Sequence, residues 1–200
     1  MSKVLKVVIY PDNVLRKNCE KVVEFDSELK KLAHDMAETM YAYRGIGLAA
    51  SQVAALKRIF VLDTTWTERE LDSSDEEAPK KSKKAAKKNP RFFVNPEIIN
   101  ADGEISFEEG CLSIPKVYGE VDRKETVSVR YQDLDGKTHN EDLEGLDAIA
   151  FQHELDHLNG VLFFDHMSSY KRRVLLEKFL KQQLELQKES KTEKKKSEDS

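Results

Sequence analysis

The chain has 200 residues, 35% of them charged, yet its formal net charge is only -4. That length suffices for one domain with a proper core plus appendages, and the near balance of charge excludes the global field of a nucleic-acid or membrane-surface binder. No apolar run is long enough to cross a bilayer, residues 1–6 lack the features of a secretory signal, and Cys19 and Cys111 do not make a disulfide framework, so a reducing, cytoplasmic setting is expected.

Residues 4–10 are a β-branched run closed by Pro11-Asp12, which predicts a short strand and a turn. Cys19 reads as a small, partly buried hydrophobe. Asp26 or Ser27 is placed to cap a helix reaching Tyr43. Leu29, Leu32, Ala33, Met36, Met40 and Tyr43 recur along it at helical period as a core stripe, with His34 off the stripe on the surface. The helix stops at Gly45. The next segment, Gly45-Ile46-Gly47-Leu48-Ala49-Ala50-Ser51-Gln52, carries little side-chain bulk, which suits a backbone that approaches another backbone or a ligand closely. A tight turn packed on a neighbour explains it equally well.

Residues 58–64 read as a strand. Residues 66–91 differ in kind, with an acidic run at 72–77, a basic run at 80–88 and almost no apolar residues. Such a segment cannot offset its ordering entropy by burial and is expected to be a mobile, solvated insertion, or else a docking arm for an acidic partner. Residues 92–100 resume as extended chain, with Pro96 predicting an edge or a bulge. Asp102-Gly103 marks a turn and residues 121–131 alternate as a strand. Asp133-Leu134-Asp135-Gly136 makes a hairpin turn into residues 138–143, with His139 exposed.

A helix is predicted to begin near Glu144 or Gly145 and to end at Asn159-Gly160. It carries Gln152-His153-Glu154-Leu155-Asp156-His157. A four-residue step advances roughly 6 Å, so His153 and His157 share a face and can bind one divalent ion. Glu154 sits about 100° round the helix, beside such an ion, where it can take a proton from water. Leu146, Ile149 and Ala150 share the face of His153, so the ligands lie at one end of an apolar strip. Two histidines leave the site incomplete. Cys111, in Glu109-Gly110-Cys111-Leu112-Ser113, is the natural third ligand; a carboxylate or one of the lone histidines remains the alternative. A Cys-His-His set leaves one position open, as catalytic rather than structural sites do. Residues 161–164 read as a short strand. Ser168 or Ser169 can cap a final helix through Gln187, and the charged residues 188–200 are expected to be disordered.

Segments 45–52, 109–113 and 152–157 match, in order, the motifs GxGxAAxQ, EGCxS and QHExDH of peptide deformylases, and the chain resembles the bacterial type over residues 3–170 apart from the insertion. The resemblance implies an α+β fold of mostly antiparallel sheets around a central metal-binding helix. A catalytic domain would span 1–170, with a flexible insertion at 66–91, and a C-terminal helix and disordered tail would span 171–200. It implies removal of the formyl group from the N-terminal formylmethionine of nascent polypeptides. Cys111, His153 and His157 would hold one divalent ion, usually Fe2+, with Ni2+, Co2+ or Zn2+ able to replace it. Glu154 would be catalytic, and the Gln52 amide and the Leu112 N–H would hold the oxyanion. The substrate backbone would pair against Ile46-Gly47. The methionine side chain would enter a pocket of Ile46, Glu109, Leu112, Leu146, Ile149 and Ala150.

The implied partners are N-formylmethionyl nascent peptides and the ribosome, with no membrane and no DNA. Ribosome docking would use the C-terminal helix, its Lys171-Arg172-Arg173, Lys178, Lys181 and Lys188 facing outward and Leu175, Leu176, Phe179, Leu180 and Leu184 packing back. The alternatives are a helix that merely covers the core and, for the whole chain, a metallopeptidase with the same HExxH helix. Arg44 and Tyr118 depart from the acidic residue and the arginine common in the family, so preference beyond the methionine is not carried over.

Overall fold

The computed structural model describes residues 2–66 and 88–198. Among these residues, seven strands form two antiparallel sheets. One has five strands in the order β1 (Gly47–Ala49), β2 (Ile59–Leu62), β3 (Arg91–Asp102), β6 (Thr126–Gln132), β7 (Thr138–Glu144); the other pairs β4 (Ile105–Cys111) with β5 (Ile114–Arg123). The helices are α1 (Ser27–Ala42), α2 (Gly145–Leu158) and α3 (Ser169–Glu198). The α+β class with mostly antiparallel sheets and a central helix is as expected.

The centre of the molecule follows from β2. All four of its residues are buried, because the sheet is covered on both faces there. Ile59 and Val61 face the cluster that holds Leu29, Ala33, Met36 and Met40 of α1. Phe60 and Leu62, pointing the other way by the two-residue period of a strand, join Ala148, Ala150, Phe151 and Leu158 of α2. Phe60, Phe93 and Phe151 meet with ring centroids 5.0–5.4 Å apart. Helix α2 is thus buried without a break from Ala148 to Glu154. A third cluster packs Ile114, Val117 and Val121 of β5 on Phe163, Phe164, Leu175 and Phe179, which seats the two-stranded sheet against α3.

Helix α1 starts where expected, with the Asp26 carboxylate accepting from the Leu29 amide at 2.8 Å. Tyr43, however, is 46% exposed, because the helix ends at Ala42 and the chain turns before Tyr43 completes the stripe. Residues 4–10 form no strand. Their amides are taken elsewhere: Leu5 N donates to Thr39 Oγ1, Val8 N to the Gln52 carbonyl and Tyr10 N to the Ser113 carbonyl. Pro96 does sit at a bulge, but β3 lies between β2 and β6 rather than at an edge. The predicted strand at 121–131 divides into the end of β5 and β6, with Lys124-Glu125 between them. His139 is half-buried, stacked on Tyr131 and paired with Asp133 at 2.8 Å. Residues 163–166 form a 3-10 turn instead of a strand, because the Leu162 carbonyl accepts locally from Asp165 N. Helix α3 is capped by Ser168, as anticipated, but runs to Glu198. Its last stretch is rich in Lys and Glu, residues of good helix propensity.

The charged runs at 72–77 and 80–87 lie outside the described residues, but the ends of that insertion are well placed. Trp66 is not part of it: the indole is 6% exposed and donates to the Gly45 carbonyl at 2.9 Å. Arg91, at the other end, already opens β3. Buried Asp63 accepts from Tyr41 Oη (2.6 Å), the Thr65 amide and hydroxyl (3.2 and 2.8 Å) and the Asn89 amide (2.7 Å). Burial works against its charge, but these donors outweigh it and hold the carboxyl below its ordinary value.

Asp63→Asn would set an amide N–H2 against donors. We expect it to cost about 1–3 kcal/mol in urea unfolding near neutral pH. Because the folded pKa is depressed, that contribution is present above the unfolded value near 4 and is lost as pH falls through the folded value. The difference between wild type and variant should therefore close below about pH 4.

Candidate metal centre

Three separate parts of the fold converge at one end of a cavity of about 680 Å³. Cys111 ends β4, just before the tight turn into β5. His153 and His157 project from α2, their rings 5.0 Å apart. Gln52 lies on the 3-10 turn after β1, fixed by the Ala49 amide donating to its Oε1 at 2.8 Å. Its Nε2 then faces Cys111 Sγ at 3.4 Å and Ser113 Oγ at 3.2 Å. Leu112 follows Cys111 in the turn and lines the cavity.

One donor atom each from Cys111, His153 and His157 lies within 4.8 Å of the others, and Cys111 Sγ is 3.2 Å from His157 Nε2. Thiolate and imidazole donors at such spacing could hold one divalent ion. The open cavity leaves room for a further ligand. Burial pushes the Cys111 thiol up, but the neighbouring His157 and His153 rings prevail and hold it at about 5, as the donating thiolate. His153 is raised in turn: burial opposes its charge, and Cys111 and Glu109 outweigh burial. Glu154 is 4% exposed, and burial is the main reason that its carboxyl is raised to about 7. Its Oε2 has no hydrogen-bond partner among the described residues. A buried carboxylate oxygen left unpaired beside three converging donors is what a metal and substrate site would require.

Gly47 packs directly on this carboxylate. A Cβ there would collide with Glu154 Oε1 and lie 2.8 Å from both Glu154 Cδ and Leu62 Cδ2. Only a glycine lets β1 run this close to α2.

The apolar strip read from helix spacing is real: Leu146, Ile149 and Ala150 line the cavity beside His153. Ile46, just before β1, and Gly47, its first residue, line it too. Glu109 also borders it, but its carboxylate is engaged elsewhere. One oxygen lies 2.8 Å from His153 Nδ1, and both accept from Arg123 (2.6 and 3.0 Å). Burial raises the Glu109 carboxyl, yet His153 and Arg123 bring it down to about 2. Arg123 has no sequence signal that singles it out, and its other partner, Asp156, is marked only as the acidic position of the QHExDH motif. Ile9, Phe107 and Tyr118, each at least a third exposed, line the cavity as well. His34, His139 and His166 are not among the residues that converge with Cys111.

The polypeptide deformylase family model matches residues 4–173. The peptide deformylase of Erythrobacter litoralis is 46% identical over 187 residues, covering 88% of this chain and 95% of the relative. That of Bradyrhizobium diazoefficiens is 48% identical over 177 residues, covering 88% and 94%. Among solved structures, the peptide deformylase of Legionella pneumophila superposes with a TM-score of 0.73 at 40% identity, covering 90% of this chain and 98% of that one. The Ehrlichia chaffeensis peptide deformylase gives 0.76 at 33% identity, covering 90% and 97%. By sequence over most of its length and by fold, the chain belongs to the peptide deformylase family, metal-dependent hydrolases that remove the formyl group from the N-terminus of new polypeptides.

Proposed function

We propose that Cys111, His153 and His157 hold one divalent ion and that Glu154, Gln52 and the Leu112 backbone carry out deformylation of N-formylmethionyl peptides around it, within a catalytic domain spanning residues 1–170. The observation that carries this reading is the convergence of three donor atoms within 4.8 Å beside a buried, unpaired carboxylate oxygen. A bound divalent ion supplies a Lewis acid and brings the pKa of water towards neutrality. Glu154, raised to about 7, is matched to accepting a proton at neutral pH and returning it to the departing amine nitrogen. Gln52 Nε2 and the Leu112 N–H donate to the oxygen of the formyl group as negative charge develops there. Strand β1 stands at the edge of its sheet. An extended peptide can add to it beside Ile46 and Gly47, with the methionine side chain against Leu146, Ile149 and Ala150.

Iron(II) is the proposed native ion, with Ni2+, Co2+ or Zn2+ as replacements, since thiolate and imidazole donors suit each of these. The test is formate release from a formyl-Met peptide by anaerobically purified protein of known metal content. Formate without internal cleavage supports the reading; internal peptide-bond cleavage would favour a metallopeptidase. Both cysteines are free thiols, in keeping with the cytoplasmic location that is part of this proposal, and no described helix is long and apolar enough to cross a membrane.

Gln52→Leu should lower turnover about 10²–10³-fold, the usual effect of losing one oxyanion donor, while metal content changes little. Metal analysis beside steady-state rates checks it. An unchanged rate would leave the oxyanion to Leu112 and the ion.

Ribosome docking through α3 is a further part of the proposal. Leu175 and Phe179 pack on the core, as expected, whereas Leu180 and Leu184 are exposed at 47% and 57%. The basic cluster is largely paired: Lys171 with Glu120 at 3.0 Å, Arg172 with Asp165 at 3.8 Å and Arg173 with Glu177 at 3.9 Å. Support therefore rests on the exposed Lys178 and Lys181 with Leu180 and Leu184. Charge reversal at Lys178 and Lys181 should weaken cosedimentation with ribosomes and its salt dependence, leaving turnover on a short formyl peptide intact. Unchanged cosedimentation would remove α3 as the contact.

A further inference from the structure

Behind the metal centre lies a buried charge network that the reaction itself does not use. Arg123, at the end of β5, has a side chain only 4% exposed. Its guanidinium grips Glu109 with two nitrogens, Nε to Oε1 at 2.6 Å and Nη2 to Oε2 at 3.0 Å. The remaining nitrogen, Nη1, donates to Asp156 Oδ2 at 2.6 Å. His166 Nε2 meets that same Asp156 oxygen at 2.7 Å and closes the network towards the surface.

Each carboxylate stands next to a proposed metal ligand. Glu109 Oε2 is 2.8 Å from His153 Nδ1, and Asp156 directly precedes His157 on α2. A carboxylate on Nδ1 fixes the ring and its tautomer and leaves Nε2 to coordinate. Glu109 can do so only if it cannot turn away. A single-point contact would leave it free to rotate about its terminal bond; two parallel bonds from a planar fork do not. The fork is itself held in place. Gln152, which immediately precedes His153, accepts from the Lys124 amide at 3.0 Å and donates to the Lys124 carbonyl at 2.8 Å. The backbone beside Arg123 is thus clamped to the metal helix by the first residue of the QHELDH segment. The partner carboxylate, Asp156, is the fifth residue of that segment.

We infer that Arg123 is a positioning residue for the metal centre: its forked contact with Glu109, braced by Asp156, holds His153 in the orientation that binds the ion. The inference rests on the ligand set proposed above. It assigns one job to Arg123 and Asp156, neither of which lines the cavity, and it makes geometry rather than charge the essential property of Arg123. Lysine supplies the charge without the fork, so Arg123→Lys separates the two.

The experiment is equilibrium titration of the metal-free full-length protein with Co2+, followed by visible absorption, for wild type, Arg123→Lys, Arg123→Met and Asp156→Asn, with formate release measured at saturating Co2+. Arg123→Lys should bind Co2+ about 10–100-fold more weakly than wild type, the usual effect of losing such an outer partner. Its cobalt spectrum should be altered, and Arg123→Met should do no better. Asp156→Asn, which loosens the brace and spares the Glu109 fork, should fall between wild type and Arg123→Lys. It also keeps the proposal testable if both Arg123 variants fail to fold: wild-type affinity and spectrum in Asp156→Asn would then overturn it. Wild-type affinity and spectrum in Arg123→Lys would equally overturn it, because charge alone would suffice. Failure of the wild-type protein to take up Co2+ at Cys111 would instead overturn the ligand set on which the inference stands.

Discussion

Glu154→Gln should retain the metal and lose turnover by about 10²–10⁴-fold, the contribution of a positioned proton-transfer group. The replacement is nearly isosteric, which matters in this setting. Glu154 is 4% exposed and lies against Gly47 on β1, so a smaller residue would leave a gap that β1 or solvent could fill. The amide keeps the shape and removes the basicity. The three proposed ligands stay in place, because no hydrogen bond among the described residues ties them to Glu154 Oε2; His153 is oriented by Glu109 instead. Metal content by elemental analysis and formate release on the same sample are the two measurements. Parallel loss of both would make Glu154 a structural prop of the centre rather than its base.

Gly47→Ala should be nearly as damaging, and for a steric reason. The added methyl carbon would sit 2.8 Å from the Glu154 Cδ and from Leu62 Cδ2. Neither neighbour can yield freely, since Leu62 is 3% exposed within the core that α2 shares with β2. The carboxylate must therefore move by something on the order of 1 Å, and a displacement of that size in a reacting group costs about 10²-fold. The loss should fall mainly on kcat with metal content intact. A rise in KM with kcat unchanged would place the methyl in the path of the peptide along β1 and leave the base undisturbed.

Much of the site was legible because it follows short-range rules. The four-residue step from His153 to His157 and the apolar positions at Leu146, Ile149 and Ala150 are consequences of helix geometry, and the helix is there. The three motif segments supply Gln52, Cys111, Leu112 and Glu154 beside them, whereas Ile9 and Phe107 complete the cavity wall from outside those segments. What stayed hidden depends on tertiary pairing. Nothing in the sequence around Glu109 predicts that its carboxylate turns towards His153 and Arg123. Arg123 itself closes a strand that periodicity ran together with β6, so its burial could not be inferred. The N-terminal run at residues 4–10 had the composition of a strand but gives its amides to Thr39, Gln52 and Ser113. Trp66 adjoins a charged run, and nothing local distinguishes it from that run; its indole is anchored on Gly45 by a contact made only in the fold.

The Asp63 carboxylate collects Thr65 on one side of the insertion and Asn89 on the other, and so makes the excursion between them a pendant on a closed ring. For such an arrangement the entropy of closure depends only weakly on what is hung from it, about 0.6 kcal/mol for each doubling of length. The junction is therefore a grafting point: a fluorescent domain, a capture tag or a longer charged segment can be spliced in between residues 67 and 87 at little thermodynamic cost. The chemistry would feel such a graft through the indole of Trp66 on the Gly45 carbonyl, two residues ahead of the glycine that packs on the base, and through Thr64 and Arg91, which both reach Asp147 on the metal helix.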